Sequence, residues 1–156
     1  MLNKRGEGYV QVSVLILLLC LVLSVFLTLV YAVNIVRLTE RNSKTVLESY
    51  VLENSIVIYN SIKQGDNTSK AVDATAYTDM LISFGSLTAR KSFLYHYSDE
   101  EQVDYYISKP TVELSDKTHL KLTVSYTVYV PIYFAGTQVS TAAIPVTVKT
   151  DLEGKF

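Results

Sequence analysis

One cysteine, no tryptophan, two histidines and three prolines among 156 residues set the first limits on this chain. The single thiol, Cys20, has no intramolecular partner, so no disulfide framework holds the fold together. The two imidazoles, His96 and His119, fall in no metal-ligand or nucleophile motif and read as half-exposed strand residues. No Gly-rich segment resembles a phosphate cradle. The acidic run Asp99, Glu100, Glu101, followed by Asp104, lacks the alternating ligands and central glycine of a calcium loop, and reads as solvated. The sequence therefore predicts a protein that is not an enzyme, with no metal and no cofactor. An excess of one charge is also missing. With 14 Lys+Arg against 15 Asp+Glu, a nucleic-acid partner finds no electrostatic footprint.

What the chain does have is concentrated hydrophobicity. Mean hydropathy is +0.23 although 19% of residues are charged. From Gly8 to Val36 there is no Asp, Glu, Lys or Arg, a run of about 29 residues where a helix needs ~20 to cross a bilayer. A secretory signal cleaved after Ala32 is disfavoured by length, because the apolar stretch exceeds the ~7 to 15 residues of a signal-peptide core. Lys4 and Arg5 before the span, and a Tyr/Thr/Val-rich remainder after it, orient the N-terminus to the cytoplasm and the rest outside a single-pass cell membrane anchor. Ser13, Ser24 and Thr28 are the small polar residues available for helix–helix contacts in lipid.

Neither Gly nor Pro occurs between Gly8 and Gly65, so the helix is expected to run past the membrane to about Lys63. Beyond Val36 it turns amphipathic, with Leu47, Tyr50, Val51, Ile58 and Ile62 near helical spacing and Arg41, Lys44, Glu48 and Glu53 elsewhere. Gln64 to Asn67 read as a stop, and Asn67, Thr68 or Ser69 as the next cap. A shorter helix follows, whose stripe Val72, Ala76, Met80, Phe84, with Leu81 beside it, is expected to pack on a sheet and to end at Gly85. Period-two alternation then predicts strands at Phe93–Tyr97, Val103–Ile107 and Leu120–Val130, with Ser115 to Lys117 as a turn. Ala135 and Gly136 form the turn into an antiparallel partner from Thr137 to Thr150. Pro131 and Pro145 lack donors and belong at a bulge, strand end or sheet edge. The fold class is α+β: a long N-terminal transmembrane helix continuing outside the membrane, a short second helix and a C-terminal antiparallel β-sheet.

The segment Lys4-Arg5-Gly6-Glu7-Gly8-Tyr9-Val10-Gln11 resembles the start of type IV pilin-like proteins, closest to the TadE-like pseudopilins of Tad-type pili. The resemblance implies a basic leader at 1–6, ending at Gly6 and removed before Glu7 by a prepilin peptidase. It also implies a transmembrane helix at 7–36, an extracytoplasmic continuation at 37–64 and an α+β domain at 65–156. Its function would be that of a structural subunit packing with other pilin-like subunits, in a pilus or secretion apparatus. Gln11 stands where the family has Glu, so the carboxylate that would offset a neighbour's α-amine is replaced by its amide. An unpaired amine held dry costs several kcal/mol. Glu7, bearing its carboxylate beside the new amine, partly substitutes. The competing expectation is a signal-anchored protein whose outer domain binds a partner or ligand in a secretion or conjugation system. Gly6→Leu separates leader processing from its absence: a peptidase needing a small residue before the scissile bond leaves this variant at precursor mass, whereas an identical mature mass in wild type and variant rules processing out.

Overall fold

The computed structural model describes residues 4–63, 72–98, 102–115, 121–134 and 136–151. The expected stop and caps at 64–69, the acidic run 99–101, the turn residues Asp116 and Lys117, His119, Leu120 and Ala135 lie outside the described residues. The chain forms two compact units, Met1–Asn34 and Ile35–Phe156.

The first unit is the start of helix α1 (Lys4–Lys63). Its apolar side chains from Tyr9 to Leu29 are all more than half exposed, and its most apolar window, of mean hydropathy 3.0, is unburied. A helix in the core of a soluble protein hides such a surface; this one presents it on every side. The architecture is that of a chain carried by one long apolar N-terminal helix, as in a single-pass anchor.

In the second unit α1 becomes one-sided. Ser43, Val46, Leu47, Tyr50, Val51 and Ile58 are buried, whereas Leu52, Ile56 and Val57 remain exposed. Helix α2 (Ala74–Gly85) starts at Asp73, whose Oδ1 accepts from the Thr75 amide at 2.8 Å. It ends at Ser86, which takes the left-handed conformation with φ 51°. The terminator is thus Ser86 rather than Gly85. Gly85 matters for a different reason: a Cβ there would lie 3.2 Å from the Leu87 side chain, which is buried. The expected α2 stripe is also corrected. Tyr77 and Leu81 face the core, while Phe84 is 54% exposed and Met80 lies half-buried. Burial selects the aromatic neighbour of Ala76 because its hydroxyl finds a partner on α1.

The sheet comprises β1 (Thr88–Arg90), β2 (Phe93–Tyr97), β3 (Val103–Ser108), β4 (Thr111–Ser115), β5 (Lys121–Phe134) and β6 (Thr137–Asp151), all antiparallel. Strand β5 is central. Along one side it pairs with β6, and along the other with β3 near Val128 and Tyr129 and with β4 from Lys121 to Ser125. Strands β3 and β4 therefore follow one line, interrupted at Lys109 and Pro110. The ladder is patched there by a side chain: the Thr127 amide donates to Ser108 Oγ at 2.9 Å. Because Thr127 spends its donor towards β3, its partner Pro145 faces the open edge of β6, where a missing donor costs nothing. Pro131 sits one residue before the register shift at Ile132/Tyr133. The edge strand β6 is guarded by that shift, by Pro145 and by Lys149. Gly136, with φ 77°, closes the β5–β6 turn. Alternation does not predict strands β1 and β4, which are three and five residues long; Ser115, expected in a turn, closes β4.

Even-numbered residues of β5, Leu122 to Val130, are buried, as their period-two spacing predicts. Val51 and Leu52 test the one-sidedness of α1. In urea titrations of a fragment beginning at Ile35, Val51→Ala, at a side chain 0% exposed, should lose about 1–3 kcal/mol, while Leu52→Ala, at one 65% exposed, should stay within about 0.5 kcal/mol; equal effects would contradict the packing described.

Candidate functional site

Two surfaces qualify as functional, one on each unit. On the apolar helix, residues recur at ~100° each, so Ser13, Ser24 and Thr28 fall within about 60° of one another. Cys20 lies on the same face, between Ser13 and Ser24. Gln11 does not join them, being roughly 160° from Ser13. The helix also decides what these groups can donate. Ser13 Oγ bonds the Tyr9 carbonyl and Thr28 Oγ1 the Ser24 carbonyl, each at 2.9 Å, so both hydroxyls are satisfied within their own helix. Their contribution to a neighbour is small size and close approach rather than a free donor. Gly6 and Glu7 fall within α1, in its first turn.

The second surface is the outer face of the sheet. Tyr95, Tyr106 and Tyr129 occupy one register row across β2, β3 and β5. Their rings stack face to face, Tyr95 on Tyr106 at 5.1 Å and Tyr106 on Tyr129 at 4.9 Å between centroids. Phe93 meets Tyr106 and Tyr129 edge-on at 5.4 and 5.6 Å. Tyr97 stacks on Tyr95 at 6.1 Å, and the Arg90 guanidinium stands 5.4 Å from its centroid. The rings use their faces on one another, so what meets solvent is edges and hydroxyls, an arrangement suited to protein contact rather than to stacking a planar ligand. The strand tyrosines are thereby divided by parity: Tyr105 and Tyr126 point into the core, and the stacked row points out.

Between helices and sheet lies a set of buried hydroxyls. Ser43 Oγ and the Tyr77 hydroxyl are 2.6 Å apart, and Tyr77 also donates to the Ser43 carbonyl at 3.2 Å. The Asp73 amide donates to the Tyr50 hydroxyl at 2.9 Å, and Tyr50 and Tyr77 pack edge to face at 6.1 Å. These contacts dock α2 on α1, and the bonds between Ser43 and Tyr77 are hidden from water. The Tyr126 hydroxyl faces Thr39 and Ser43 without reaching hydrogen-bond geometry with either. It borders a cavity of ≈ 10 Å³ also lined by Thr39, Asn42, Leu81 and Leu87. Burial pushes the phenols of Tyr50, Tyr77 and Tyr126 above their ordinary value of 10.0. The Thr75 amide holds the Asp73 carboxyl below its own.

His96, half-buried, stacks on Tyr105 at 4.9 Å and has Nδ1 3.2 Å from Asp104 Oδ2. His96 Nδ1 makes no hydrogen bond there, and among the described residues no three His, Cys, Asp or Glu converge on a metal position.

The raised phenols fix a pH dependence. Stability they supply is complete below pH 10 and lost as pH rises through their folded values, because only the unfolded chain can ionise them freely. In alkaline titration of the Ile35–Phe156 fragment, absorbance from these three tyrosinates should develop together with loss of circular dichroism; full ionisation of all ten of the fragment's tyrosines with the fold intact would refute the buried network. Compared with known family models, characterised proteins and solved structures, the chain matches none.

Proposed function

We propose that this chain is a structural, non-catalytic pilin-like subunit, TadE-like in kind, of a Tad or type IV-related pilus or secretion apparatus. The observation that carries the reading is the apolar helix exposed on all sides, followed along the same helix by a segment buried on one side only. Such a helix is at home in lipid and, after extraction, against other copies of itself. The small-residue face of Ser13, Cys20 and Ser24 supplies the close-approach surface. On this reading the N-terminus is cytoplasmic, the α+β domain lies outside, a prepilin peptidase acts between Gly6 and Glu7, and the partners are other pilin-like subunits.

The tyrosine row on the outer sheet face favours a second reading, a permanently anchored protein whose outer domain docks a partner. Gln11 separates the two. In an assembly whose mature α-amine lies near a neighbour's Gln11, Gln11→Glu adds an ion pair to a hydrogen bond and should raise crosslinked oligomer yield or leave it unchanged. In an uncleaved anchor no such amine exists, and the carboxylate costs up to about 2–3 kcal/mol near the apolar run. Oligomer yield in membranes is the measurement, at equal expression; a marked fall with normal insertion counts against pilin-type packing.

A further inference from the structure

On the outer face of the sheet, Tyr106 and Tyr129 are direct cross-strand partners on β3 and β5, with ring centroids 4.9 Å apart and planes 7° from parallel. At that separation the rings are offset, so that carbons of one lie over the other at van der Waals contact. Only in a parallel stack do the π lobes of one ring point at those of its neighbour. Phe93, inclined at 86° and 89° to the two rings, lacks that overlap as well as a phenol. Tyr95 stacks on Tyr106 less squarely, at 5.1 Å and 25°. Tyr97 ends the row beside the Arg90 guanidinium, 5.4 Å from its centroid, a charge that opposes loss of an electron from this ring. The stacked row is half-buried, so its phenols can pass a proton to water, whereas Tyr77 and Tyr126 are enclosed in the core.

We propose that Tyr106 and Tyr129 form a site of oxidative coupling, at which a one-electron oxidant such as a peroxide-driven haem enzyme joins the two rings into a dityrosine staple. Each phenol gives up one electron and one proton and becomes a neutral phenoxyl radical. The two radicals pair in one carbon–carbon bond between their Cε positions, and the hydrogen on each of those carbons returns to its own phenol oxygen. One hydrogen peroxide takes up the two electrons and two protons and leaves as two waters. Both rings are then phenols again, and the chain is lighter by two hydrogens.

The bond fastens the shortest ladder of the sheet. Among the described residues β3 meets β5 only at Tyr106–Tyr129 and Ile107–Val128, whereas β6 follows β5 from Lys121 to Phe134. Strands β1 and β2 reach β5 only through β3, so this ladder is the strand pairing that links β1–β3 to β4–β6. A chain with one thiol has no disulfide to serve there, and a covalent link between residues 106 and 129 restricts the unfolded chain in the way a disulfide does. The staple needs only the sheet, and holds whether the chain is an assembling subunit or a permanent anchor.

The test treats the full chain in detergent with a haem peroxidase and hydrogen peroxide, in a Cys20→Ser background so that no thiol quenches the radicals. Dityrosine fluorescence should appear in the monomer. Trypsin should release peptide 92–117 joined to peptide 122–149, since Lys109 precedes Pro110 and resists cleavage. Fragment spectra of the joined peptides should place the bond at Tyr106 and Tyr129, a reading that needs no variant. Tyr106→Phe and Tyr129→Phe keep the rings and remove the phenols, and each should lower the monomer yield by about tenfold or more, as should unfolding in urea before oxidation. Tyr97→Phe and Tyr133→Phe should leave the yield within about twofold. Dityrosine confined to dimers, a bond mapped to other tyrosines, a monomer yield that survives Tyr106→Phe or Tyr129→Phe, equal yield from the unfolded chain, or none from the folded one each overturns the site.

Discussion

Strand β5 is the element on which the α+β domain depends, because β3, β4 and β6 all pair with it. Its inward residues Leu122, Val124, Tyr126, Val128 and Val130 supply the floor of the core, and its outward residues include Tyr129, where the stacked row meets the centre of the sheet. Each neighbour takes its register from it. Strands β3 and β4 share its far side only because Lys109 and Pro110 break their line and Ser108 lends a hydroxyl to the Thr127 amide. A proline that would disrupt an interior ladder is harmless at Pro145, since among the described residues β6 pairs with β5 alone. Placement on the edge and loss of the donor are the same fact seen from two sides.

Over this floor, helix α1 and helix α2 are joined by hydroxyls as well as by buried apolar side chains. Ser43 and Tyr77 satisfy one another where water is excluded, and in such a setting an unmade hydrogen bond costs about 1–3 kcal/mol; the Asp73 amide adds a part-buried bond to Tyr50. This requirement gives the contact its specificity. An apolar stripe of α2 can slide along α1; Tyr77 can reach Ser43 in only one place. The consequence is outward as well as inward, for turning Tyr77 and Leu81 to the core leaves Met80 half-buried and Phe84 exposed.

The two units express one composition rule under different surroundings. In the first, apolar side chains cover every side and remain exposed within the chain, which suits lipid or other helices. In the second, the same helix confines burial to one face.

Much of this is legible in local spacing. The uncharged run from Gly8 to Val36 determines the apolar helix because length and transfer free energy do not depend on the rest of the fold. Alternation from Lys121 to Val130 determines β5 because a period of two places one face inside whatever covers it. The pairing of β6 follows from Gly136 at the turn. Tertiary structure alone decided that Tyr77 rather than Ala76, Met80 and Phe84 faces inward, since the partner that rewards its hydroxyl lies 34 residues away in Ser43. It also decided the short strands β1 and β4, whose three and five residues carry too little pattern to read and exist because longer neighbours pair with them. The stacking of Tyr95, Tyr106 and Tyr129 belongs to the same class: register places three distant residues in one row, and register is a property of the assembled sheet.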